Sequence, residues 1–181
     1  MLGLSRQEMI PLTNSKSTGI TYPHIKTCYL VLNNKVKPPL KHELTHLITM
    51  LQWDYPYPKS TWMNEGLSTF MTNNCNGYSV SEIYRFFMKK NQIIGIDSLT
   101  NNFYNNSEMI SYHQSGQIVG YLIEEYGLER FEKLWKFEFD KFHSIYDLSF
   151  SNVLDEMEKK LLNKYPKVPK IDHDLFMKGC Q

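Results

Sequence analysis

The chain has 181 residues, with 20 Lys+Arg against 19 Asp+Glu and a formal net charge of +1. A length of this order buries about 70% of the unfolded surface in one domain or two lobes, so a core needs no disulfide scaffold. The near-neutral charge removes the electrostatic case for nucleic acid or an anionic membrane as partner, while 41% hydrophobic and 14% aromatic residues mark a folded chain. In chain order, residues 1–18 are polar and predict a loose lead-in. They hold no basic segment followed by an apolar stretch, and no apolar run nears about 20 residues, which predicts either a cytoplasmic protein or a mature or truncated form, without a membrane span. Thr27-Cys-Tyr-Leu-Val-Leu32, closed by Asn33-Asn34, reads as a strand. Pro38-Pro39 suits the first turn of a helix running to about Gln52, before Asp54-Tyr-Pro-Tyr-Pro58 breaks it. A helix from Trp62 to about Asn73 follows, with Ser60 or Thr61 able to cap it. Ser79-Val-Ser-Glu82 is a capping box ahead of Ile83, Phe86 and Phe87. Helical periodicity then covers 108–126 with Gly127 as C-cap, continues over 128–142, and returns over 151–164. Pro166 and Pro169 leave a short tail. Cys28, Cys75 and Cys180 are odd in number and scattered, predicting free thiols and no cysteine-based zinc site.

The chemistry concentrates in His42-Glu43-Leu44-Thr45-His46. Four residues on a helix separate the two imidazoles by about 40°, so both leave the same face as two ligands of a tetrahedral zinc must. Leu40, Leu44, Leu47, Ile48 and Leu51 form an apolar stripe on roughly the opposite side, which predicts that stripe in the core and the imidazoles on a cleft. Catalytic zinc takes three protein ligands. Trp62-Met-Asn-Glu65-Gly supplies a carboxylate after an 18-residue interval, and a second helix packed antiparallel would return it to the histidines. Asn64 and Thr45 are candidate hydrogen-bond partners behind the ligands. Glu43, beside the ligands without being one, has the placement of a general base for a metal-activated water.

His42-Glu43-x-x-His46 followed at this interval by Asn64-Glu65-Gly66 resembles the gluzincin metallopeptidases, in particular the peptidase MA-like group and the catalytic domain of aminopeptidase N-type enzymes. The likeness extends through Ser111–Gly116 and Tyr121–Gly127 to Ser149–Glu158, spanning roughly residues 19–165. It implies an α+β, mainly helical, zincin-like fold of the thermolysin type, with a small β-containing N-terminal lobe and a helical C-terminal lobe. It further implies one zinc per chain on His42, His46 and Glu65, and a peptide or protein as substrate. The resemblance gives Tyr112 the role of donor to the oxyanion, with Tyr104 as its substitute. Aminopeptidases of this type carry a Gly-x-Met-Glu-Asn strand ahead of the zinc helix, but residues 19–32 contain no acidic side chain. That departure points to internal cleavage rather than N-terminal trimming. The acidic residue that relatives place a turn after the third ligand is also missing from Thr69–Asn74. Two other readings remain: a catalytically silent zincin-like module that binds peptide, and a helical interaction protein with an accidental metal pattern. His24, His143 and His173 read as solvated or local packing residues, and His113 as pointing away from Tyr112.

Overall fold

The computed structural model describes residues 3–15, 17–32, 37–56, 60–137 and 139–180. The expected strand end at Asn33-Asn34, Pro58 of the helix breaker and Glu138 within the expected 128–142 helix lie outside them. Two compact units divide the chain, Met1–Asp54 and Tyr55–Cys180.

In the first unit, β1 (Gly3–Leu4) leads into α1 (Arg6–Thr13), and β2 (Gly19–Tyr22) and β3 (Thr27–Val31) form a hairpin. The three strands make one sheet in the order β1-β3-β2, parallel on the first side and antiparallel on the second. The turn between β2 and β3 is a short 3-10 segment ending at Lys26, whose φ is 53°. The lead-in is therefore not loose. Ser5 and Glu8 cap α1 reciprocally, and Met9 is fully buried with Leu30 and Val31.

α2 (Leu40–Trp53) follows as expected, but with its faces exchanged. Leu44, Ile48 and Leu51 are exposed at 38%, 59% and 49%, whereas Glu43, His46 and Thr49 are buried. The side carrying Glu43 packs on β2 and β3, where Thr21 and Cys28 hydrogen-bond to it, and the apolar stripe is left outward. Polar pairing with the sheet has overridden hydrophobic periodicity here.

The second unit contains α3 (Thr61–Thr72), α4 (Val80–Lys89), α5 (Ile96–Asn101), α6 (Glu108–Tyr126), α7 (Leu128–Lys136), α8 (Phe142–Tyr146), α9 (Phe150–Lys164) and α10 (His173–Phe176). Ser60 occupies the N-cap of α3 without a side-chain bond, while Ser79 and Glu82 complete the capping box of α4. Gly127 ends α6 with φ 89°. The expected 128–142 helix stops at Lys136 because Phe139 and Phe142 turn inward to meet Phe150, each 4.9 Å away, and Phe139 also meets Trp62 at 5.7 Å. Tyr84 donates to the Glu158 carboxylate at 2.9 Å and ties α4 to α9; burial and that charge push its phenol up.

α3 and α6 approach closely through small residues. A Cβ on Gly66 would lie 2.8 Å from the Ser115 carbonyl oxygen and from Val119 Cγ2, and one on Gly120 would lie 2.5 Å from the Phe70 ring. The backbone obstacle at Gly66 cannot swing aside, so Gly66→Ala should destabilise by about 1–3 kcal/mol. A thermal melt should show a fall of roughly 2–12 °C for a chain of this size.

The short C-terminal tail packs on the helices of the second unit. Ile171 and Phe176 are buried in a cluster with Ile83, Phe86 and Phe87. Cys75 and Cys180 are joined by a disulfide across a separation of 105 residues, correcting the expectation of free thiols; Cys28 alone remains free. No described helix is long and apolar enough to cross a membrane.

Candidate metal centre

α2 places His42 and His46 one turn apart. Their Nε2 atoms are 3.0 Å from each other and their rings meet edge to face at 82°. On α3, Glu65 is buried at 8% exposure, with Gly66 behind it in the close packing against α6. His42 and His46 belong to the first unit and Glu65 to the second, and all three are side chains of the kind that ligate a metal ion. Tetrahedral zinc with ligands at about 2.0–2.2 Å needs donor separations of roughly 3.3–3.5 Å. The two imidazole nitrogens stand near that spacing, and a carboxylate oxygen from Glu65 would complete the set. The donor set, two borderline nitrogens and one hard oxygen, suits zinc better than calcium or magnesium.

Glu43 is buried on the sheet side of α2. Thr21 Oγ1 lies 2.6 Å from Glu43 Oε2 and 3.0 Å from the Glu43 carbonyl, so its single proton is shared between the two acceptors. Oε1 stands over Gly19, where a Cβ would come within 2.6 Å. The absence of a side chain at Gly19 therefore makes the space the carboxylate occupies. Sequence reasoning missed both Gly19 and Thr21, because their partner lies 22 or more residues away and no local pattern announces the contact. Cys28 sits beside the same group, with Sγ 3.4 Å from Thr21 Oγ1. Burial, and then the Glu43 charge, push its thiol up, so it stays protonated.

Thr45 Oγ1 donates to the Lys41 carbonyl at 2.8 Å, within its own helix. Tyr112 lies on α6 with its ring 5.3 Å from Phe103, and it lines a cavity with Tyr104, Ser111 and Glu108. Tyr104 is largely exposed at its ring. Partial desolvation and the neighbouring Glu65 carboxylate nevertheless push its phenol up, keeping it a hydrogen-bond donor at neutral pH. His113 is buried and faces Cys180. His24 and His173 pack on Tyr22 and Phe86, as expected of local packing residues.

A family model described as Peptidase MA superfamily matches residues 6–153. The chain belongs to the peptidase MA superfamily. The matched span takes in α1, β2 and β3, both helices that carry His42, His46 and Glu65, and the start of α9. Membership in the peptidase MA superfamily suggests a metallopeptidase, and His42, His46 and Glu65 are the candidate ligands. No curated protein and no solved structure matches the chain.

Proposed function

We propose that this chain is a zinc-dependent peptidase of the gluzincin type, with a zincin-like catalytic fold, that cuts internal peptide bonds. The observation that carries the reading is the 3.0 Å pairing of the His42 and His46 nitrogens beside a buried, oriented Glu43 in a peptidase MA superfamily chain, with Glu65 as the third ligand. Held by His42, His46 and Glu65, zinc would supply Lewis acidity for the scissile carbonyl and the attacking water. Glu43 takes a proton from the attacking water and passes it to the leaving amine. Thr21 and Gly19 hold that carboxylate in place: the hydroxyl fixes Oε2, and Oε1 is left for the proton. Tyr112 donates to the oxyanion, and Tyr104 competes for that role because it shares the cavity and senses Glu65. β2 bonds to β3 on one side, and its other edge is suited to pair with an extended substrate backbone.

Residues 19–32 carry no acidic group to hold a substrate's free amine, which supports internal cleavage. A peptide library offered with blocked and free N-termini tests the reading. Chelator-sensitive cuts at internal bonds of blocked peptides are expected. Strict removal of N-terminal residues would overturn the endopeptidase assignment, and zinc binding without cleavage of any peptide would favour the silent binding module instead.

Gly19→Ala probes the positioning of Glu43. Its Cβ would lie 2.6 Å from Oε1 and 2.7 Å from both Glu43 Cγ and Pro39 Cγ. A shift of the base by about 1 Å is expected to lower kcat/KM by about 10²-fold, while zinc content stays at the wild-type level. Steady-state assays with metal analysis on the same sample check this.

A further inference from the structure

The second unit holds a cluster of ligating atoms made of other residues. Cys75, His113 and Cys180 each bring one ligand atom within 4.8 Å of the others. Cys75 is buried and follows α3 in a tight hairpin, where its N–H and C=O exchange bonds with Tyr78 at 2.9 and 3.0 Å. His113 is buried on α6, and the Met109 carbonyl lies 2.7 Å from its Nδ1. A carbonyl only accepts, so Nδ1 carries the proton of the neutral ring and Nε2 presents its lone pair. Nε2 is 4.0 Å from Cys180 Sγ. An imidazole oriented through Nδ1–H to a backbone carbonyl is the arrangement metal-ligating histidines adopt.

The C-terminal segment would stay seated if the disulfide opened. Ile171 and Phe176 are buried, Tyr78 Oη donates to the Lys170 carbonyl at 3.0 Å, and Asn76 Nδ2 donates to the Gly179 carbonyl at 3.1 Å. Phe176 also packs on the His113 ring at 5.1 Å. These contacts hold the chain up to Gly179 independently of the Cys180 sulfur bond. Tetrahedral zinc at about 2.3 Å from sulfur and 2.0–2.1 Å from nitrogen needs sulfurs about 3.7 Å apart and sulfur–nitrogen spacings near 3.5 Å. The sulfurs must part by a side-chain rotation, and Nε2 must close by about half an ångström. Cys180 is exposed, so solvent can supply a fourth ligand.

We propose that Cys75, His113 and Cys180 form a redox-gated second metal site: closed as a disulfide under oxidising conditions, and holding one zinc or similar thiophilic divalent ion when reduced. A dithiol reductant supplies the electron pair. The Cys75–Cys180 bond breaks, the reductant's own disulfide forms, and its two protons pass to the cysteine sulfurs. The incoming divalent ion then displaces both protons to solvent and binds two thiolates and one neutral imidazole. A disulfide oxidant reverses the sequence and releases the ion. Cys180 lies beyond the residues 6–153 that match the family, and this site is independent of the peptidase reading.

Cobalt(II) added to the full chain separates the two centres, because His42, His46 and Glu65 contain no sulfur. Reduction with a phosphine adds no competing thiolate. The phosphine-reduced protein should show an intense near-ultraviolet thiolate-to-cobalt charge-transfer band at one ion per chain. The oxidised protein should show none. Cys180→Ser, at an exposed position, should abolish the band, and His113→Gln should weaken cobalt binding by at least about tenfold. If His113→Gln fails to fold, Cys180→Ser still decides the matter. Absence of the band from reduced wild type, or its persistence in Cys180→Ser, would overturn the proposal whatever the peptidase assay returns.

Discussion

Glu43→Gln should bind zinc as the wild type does and lose peptide hydrolysis by about 10²–10⁴-fold in kcat, the usual contribution of a positioned general acid–base. The amide keeps the volume of the carboxylate, so the close fit over Gly19 and against Pro39 survives. Thr21 Oγ1 can still donate to the amide oxygen as it does to Oε2. What disappears is a group able to take a proton from water. Metal content and kcat measured on the same preparation check the prediction, and an unchanged kcat would remove Glu43 from the chemistry.

His46→Ala should strip the metal and, with it, all measurable cleavage. His46 is 7% exposed and its Nε2 stands 3.0 Å from that of His42, while the Glu43 carboxylate on the same helix is held by Thr21. Losing one of three protein ligands leaves a two-donor site, well below the set a catalytic zinc uses. The substitution opens a small cavity beside α2, and a melt should show the fold retained with lower stability. Elemental analysis on oxidised protein is the check, because the disulfide then keeps Cys75 and Cys180 from contributing. A zinc content equal to wild type would place the ion elsewhere.

The parts of the site that were legible in the sequence are those governed by local geometry. His42 and His46 share a helix face because four residues are about one turn, and the capping signatures at Ser79–Glu82 and Gly127 fall where the chain starts and ends helices. The same signature at Ser5–Glu8 caps α1, within residues whose composition reads as a polar lead-in. What could not be read depends on contacts distant in sequence. The orientation of α2 follows from Thr21 bonding to Glu43 across 22 residues, which buries the polar face and leaves Leu44, Ile48 and Leu51 outward. Helical periodicity identifies an apolar stripe but does not say what lies opposite it. The break after Lys136 arises from Phe139, Phe142 and Phe150 packing together, a tertiary preference stronger than the local period. The Cys75–Cys180 pairing spans 105 residues and carries no spacing signature.

Zinc K-edge X-ray absorption on oxidised, zinc-loaded protein tests the central assignment most directly. One ion per chain is predicted, with a first shell of nitrogen and oxygen at about 2.0–2.2 Å, the multiple-scattering pattern of two imidazoles, and no sulfur. A shell containing sulfur, one with a single imidazole or none, or six oxygens at longer distance would contradict the assignment of His42, His46 and Glu65 as the ligands.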